Sequence, residues 1–160
     1  MGIRRWARAV VVCTLAWGCT STYISAILGV RYEPPSDVKI VDETPGPPAV
    51  ARFSGGVEMR AVGSPLPALD PRQVEELLPH VVQEAKIVLP AGKLVSAKVG
   101  SLPVGPVARY DVKGAQERVL LYVIPDGERF LTLSLTVPAG DDGRREARFE
   151  RSLASLALKI

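Results

Sequence analysis

The 160-residue chain contains no asparagine, which excludes the N-glycosylation sequon. Its two cysteines are Cys13 and Cys19, so beyond residue 19 there is no thiol for an internal disulfide or a thiolate metal site. One histidine, His80, is the only imidazole. Proline is missing from the first 33 residues; all 14 prolines come later. A charge imbalance is also missing once the start is set aside. The chain has 20 Lys and Arg against 17 Asp and Glu, but Arg4, Arg5 and Arg8 lie among the first 18 residues, where there is no acid. From Cys19 onward the balance is 17 to 17. A nucleic-acid binder needs a basic stripe to displace counterions, and none is visible, so no nucleic-acid partner is expected.

The first 18 residues combine a positive start, an uncharged run from Ala9 to Trp17, and small residues before Cys19. These are the features of an export signal. The stretch "LAWGCTS" resembles a bacterial lipoprotein signal, in which the chain is cut before a cysteine that then carries lipid, diacylglyceryl and palmitate. The resemblance implies lipidation at Cys19, attachment to the membrane through that lipid, and a periplasmic location. Thr20 after the cysteine points to the outer membrane more than the inner one under the enterobacterial sorting rule. Two other readings stay open. Ala16 and Gly18 also suit ordinary signal cleavage, leaving a free Cys19. The uncharged run Ala9 to Val30 is long enough to span a bilayer as an uncleaved anchor. The expected organisation is a signal peptide over 1–18, a lipid-anchored segment over 19–28, and one domain over 29–160. The apolar "YISAILGV" is expected to dock early on that domain.

From Gly29 onward, short alternating runs are broken by proline and glycine. Strands are predicted at 29–33, 38–43, 49–54 and 57–62, with Gly55-Gly56 as a hairpin turn between the last two. A bent helix is predicted over 71–86, with Asp70 as its cap, Pro71 at its first position, and Pro79 as its kink. Strands follow at 93–99, 106–112, 118–124 and 129–137. The strand at 118–124 is apolar on both faces, as a central strand covered on both sides should be. In the last, Leu131, Leu133, Leu135 and Val137 share one face, and Thr132, Ser134 and Thr136 share the other. A final helix over about 143–158 starts behind Asp141 and Asp142, buries Phe149, Leu153 and Leu156, and exposes Arg144, Arg145, Arg148 and Arg151. The expected class is α+β, an antiparallel sheet with helices packed on its faces.

Catalytic constellations are scarce. His80 lies between Glu76 and Glu84 at helical spacing, which a solvated helix face explains better than a metal. No serine sits in a G-x-S-x-G elbow. Glu75 and Glu76 point apart on a helix, and Asp141 and Asp142 mark a helix start. "SGGVEMRAVG" lacks the lysine of a phosphate loop, and "DDGRRE" lacks the oxygen ligands of a calcium loop. No enzyme activity, metal or cofactor is expected. The one concentrated basic surface, Arg144, Arg145, Arg148 and Arg151, is the candidate contact for an acidic partner or anionic lipid.

The order of elements, with "ARFSGGVEM", "VARYDV", "VLLYVIPDGERFLTLSLTVP" and "FERSLASL", resembles the PsbP-like domains of the DcrB and LpqN type. Most members of that group bind partners or support assemblies. The resemblance implies a non-enzymatic envelope lipoprotein, acting as an accessory binding or scaffold module for a membrane or periplasmic complex. The alternative is a carrier of lipid or another apolar ligand.

Overall fold

The eight strand-length runs read from the sequence become eight of the ten strands found in the residues that the computed structural model describes, 21–63, 73, 76–77, 91–127 and 129–159. They are β1 (Tyr23–Ser25), β2 (Val30–Tyr32), β3 (Ile40–Thr44), β4 (Ala49–Phe53), β5 (Val57–Val62), β6 (Lys93–Leu102), β7 (Gly105–Lys113), β8 (Glu117–Asp126), β9 (Arg129–Pro138) and β10 (Ala157–Leu158). One α-helix, α1 (Arg144–Ser152), precedes β10. Seven strands form an antiparallel sheet in the order β3-β4-β5-β9-β8-β7-β6, and β1-β2-β10 form a small second sheet.

Strands β8 and β9 sit inside the large sheet and are buried on both faces from Val119 to Ile124 and from Phe130 to Leu135. On one face Met59, Leu133 and Tyr122 lie side by side across three strands. This face meets Leu28, Val30 and Tyr32 of the small sheet and Phe149, Leu153 and Leu156 from the C-terminal segment. The other face gathers Ala108, Tyr110, Leu121, Val123 and Phe130 around Leu77, which is helical and buried. The expected turn at Gly55-Gly56 is present, with both residues at positive φ. A side chain at Gly56 would collide with the carbonyl oxygen of Thr136, so glycine is required there for space as well as conformation.

Two expectations need correction. Among the described residues the α-helix with defined ends is nine residues long, so the fold is mostly β with a small helical part. The final helix does not run to 158. It stops at Ser152, passes through a 3-10 turn at Leu153–Ser155, and ends as β10 paired to β2. Serine chemistry explains the stop. The Ser152 hydroxyl donates to the Phe149 carbonyl at 2.6 Å and meets the Tyr32 hydroxyl at 2.7 Å. The Ser155 hydroxyl donates to the Ser152 carbonyl at 2.6 Å and accepts the Glu33 amide at 2.9 Å. Such side-chain bonds compete with continued helix and tie its end to β2. The predicted mid-chain helix lies outside the described residues, apart from Gln73, Glu76 and Leu77; so do His80 and Cys19.

The segment "YISAILGV" packs on the domain. Tyr23, Ile24 and Ser25 pair with Tyr32, Arg31 and Val30, and Leu28 is fully buried.

Candidate functional site

The four arginines singled out in the sequence all lie on α1. Its start is fixed as expected: Asp142 accepts the Arg144 amide at 3.0 Å, and Asp141 accepts the Gly143 amide at 3.2 Å. Arg144 is exposed and pairs with Asp142 at 3.1 Å; Arg148 pairs with Asp37 at 3.3 Å. Both are exposed pairs of the kind that contribute at most about 1 kcal/mol. Arg145 turns inward and donates to the Gly55 carbonyl, holding the β4–β5 turn. Arg151 is exposed in the last turn, where a cation suits the helix dipole. Arg144, Arg148 and Arg151 therefore reach solvent, while Arg145 braces the fold.

Beneath α1 lies a charged cluster that the sequence reading missed. Arg118 forms a two-pronged contact with Asp111 at 2.6 and 2.8 Å and reaches Glu146 at 2.8 Å. Arg109 reaches Glu146 at 2.7 Å and Glu150 at 3.0 Å, and the Tyr122 hydroxyl donates to Glu150 at 2.6 Å. Hydrogen bonding from Arg118 holds the Asp111 carboxyl below the usual carboxylate range, and burial pushes the Tyr122 phenol up. With its carboxylates bound by arginine, the cluster clamps α1 to β7 and β8. The signal was available: Arg109 and Asp111 share a strand face with Val107, and Glu146 and Glu150 are one helical turn apart.

A groove opens at the other end of the sheet, between β1 and edge strand β3, with a volume of about 510 Å³. Its floor is Phe53, packed edge-on against Tyr23 with ring centres 5.0 Å apart. Tyr32 packs edge-on against Phe53 from 6.0 Å. Glu43 joins the two strands: it accepts the Tyr23 hydroxyl at 2.9 Å and is also bonded by the Ser25 hydroxyl. Ser25 in turn accepts the Leu28 amide at 2.9 Å. The walls carry Ile24, Pro34, Ile40 and Val41. A β-bulge creates this surface. Ile40 faces Phe53 and Asp42 faces Arg52, leaving Val41 as the extra residue, 68% exposed. Ile24 and Ile40 are 50% and 43% exposed. Simple alternation along 38–43 did not reveal this, because the bulge breaks the period. Among the described residues no group of three or more His, Cys, Asp or Glu side chains is placed to hold a metal, and no helix is long and apolar enough to cross a membrane.

The fold is similar to the solution structure of cyanobacterial PsbP (CyanoP) from Synechocystis sp. PCC 6803, with a TM-score of 0.59. The match covers 86% of this chain and 91% of that one at 12% identity. The fold is PsbP-like. At this identity the PsbP-like likeness is one of fold alone, and function has to be argued from the surface. A structure from Bacteroides thetaiotaomicron VPI-5482 matches 87% of this chain and 48% of its own at 14% identity, with a TM-score of 0.46. No protein-family model and no curated protein matches the chain.

Proposed function

We propose that this protein is a non-enzymatic lipoprotein of the bacterial cell envelope, anchored through lipid on Cys19, and that it serves as an accessory binding module for a membrane or periplasmic protein complex. The observation that carries this reading is how the polar chemistry is used. Arg109, Arg118, Asp111, Glu146 and Glu150 are spent on holding α1, while the β1–β3 groove and the outer arginines of α1 are open. Open, shaped surfaces without reactive groups suit binding. Arg144, Arg148 and Arg151 offer a contact to an acidic partner, since exposed pairs to Asp142 and Asp37 exchange readily.

The test is crosslinking in the native envelope, purification through a C-terminal tag, and mass spectrometry of the accompanying proteins and of the chain's own start. A stoichiometric complex subunit, with lipid on Cys19, is the expected result. An unmodified Met1 refutes the anchor, and a chain that returns alone refutes the accessory role. A second reading, a carrier of lipid or apolar ligand, is favoured by the groove's volume, which falls in the usual range of ligand sites. Organic extraction that releases a stoichiometric lipid beyond the anchor would favour it.

A further inference from the structure

We infer that the apolar face around the β1–β3 groove is a bilayer-contact surface, which lays the domain directly on the lipid. This rests on the anchor at Cys19 proposed above and adds the orientation of the domain.

Tether length carries the argument. Ser21 and Thr22 already line the groove. Cys19 is two residues before Ser21, so their Cα atoms are at most about 7 Å apart even in a fully extended chain. A lipid seated in the bilayer from Cys19 therefore keeps this end of the domain at the interface. The surface found there is apolar: Ile24, Ile40 and Val41 are all at least 43% exposed and border one groove with Pro34. Contiguous exposed apolar side chains of this kind mark contact sites, and a shallow interfacial depth of about 5–10 Å suits side chains projecting from a strand edge.

Charge is arranged compatibly. Asp42 is paired with Arg52 at 3.0 Å, and Glu43 is bonded by Tyr23 and Ser25. Lys39, also on the groove, has no acidic partner among the described residues and is placed to meet an anionic headgroup. The docked surface thus presents one ion-paired acid, one carboxylate held by two hydroxyl donors, and Lys39 as an open cation.

The opposite sheet edge supplies the control. Val95 on β6 is 59% exposed, and β6 lies six strand steps from β3, about 29 Å away at the usual spacing. Protein extracted from membranes is first titrated for thiols without any substitution. With Cys13 removed and the Cys19 sulfur held in a diacylglyceryl thioether, no thiol reacts. One reactive thiol on a chain whose mass begins at Cys19 means cleavage without lipid, and two mean neither cleavage nor lipid. Val41→Cys and Val95→Cys chains are then labelled with a small fluorophore and reconstituted into phosphatidylethanolamine–phosphatidylglycerol vesicles containing a phospholipid with a nitroxide on its acyl chain. Unchanged circular dichroism confirms that both variants are folded. The expected result is several-fold stronger quenching at position 41 than at 95. Equal quenching in a preparation without free thiols overturns the bilayer face and leaves the anchor standing. One or two free thiols overturn the anchor, and the face with it. A label at 41 that lipid does not quench, but that crosslinks to an envelope protein, also overturns the proposal and makes the groove a protein-docking site.

Discussion

The two edges of the seven-stranded sheet carry the same device and use it differently. On β3 the bulge leaves Val41 as the extra residue; on β6, Leu94 faces Val112 and Ser96 faces Asp111, leaving Val95 as the extra residue. Bulges of this kind discourage edge-to-edge pairing by bending the strand. Around Val95 the other solvent-facing residues are Lys93, Lys98, Gly100 and Ser101, so a lone valine stands among polar neighbours. Around Val41 stand Ile40, Ile24 and Pro34. A single exposed valine needs no explanation; a cluster does. The edges also differ in what braces the sheet behind them. Rings of Tyr23, Phe53 and Tyr32 stiffen the β3 end, whereas arginine–carboxylate contacts fasten α1 across β7 and β8 near the β6 end.

Four substitutions sharpen the contrast. The largest effect belongs to Phe53→Ala, which empties the groove floor and removes both ring contacts. A loss of about 3–5 kcal/mol is expected from denaturant titration, with amide exchange quickening at Tyr23–Ser25 while β6 is unaffected. A smaller loss than about 1 kcal/mol would mean that the rings do not hold β1.

Next comes Asp111→Asn, expected to cost about 2 kcal/mol at pH 7 by removing charge-assisted bonds to Arg118. The native Asp111 is held below the usual carboxylate range, so its contribution is complete above the unfolded value near about pH 4 and is lost as pH falls through the lower folded value. Stability curves of parent and variant should therefore converge in acid. Parallel curves down to about pH 2 would contradict the clamp.

The smallest effects are for Val41→Lys and Val95→Lys, each within about 0.5 kcal/mol of the parent because both sites are exposed. They separate in another measurement: Val41→Lys should lower binding of an apolar dye, and Val95→Lys should not. Equal losses would erase the difference between the edges.

Much of the sheet was legible because its signals are local. Gly55-Gly56 forms a turn with positive φ at both residues, and the Leu131, Leu133, Leu135 and Val137 alternation is uninterrupted. What escaped depends on partners distant in sequence. Ala157 and Leu158 continue the apolar spacing of a helix and become a strand only because β2 is waiting beside them. Tyr23–Ser25 sits inside an uncharged run that reads as leader, and three residues carry too little pattern to announce a strand. The clamp was hidden because charges read as outside positions; Asp111 is buried, and only the fold brings Arg118 to it and Glu146 to Arg118. The groove was half visible. The docking of "YISAILGV" followed from its apolarity, whereas the turning-out of Val41 required the bulge.

The small sheet has a consequence for the order in which the molecule is completed. Arg31 of β2 faces Ile24 on one side and Ala157 on the other. A strand made among the first residues of the domain thus receives its second neighbour only after the seven-stranded sheet and α1 have been synthesised. Until then its outer edge stays open, available to a chaperone or to another chain. The strand that follows α1 closes the first part of the domain, like a buckle on a strap.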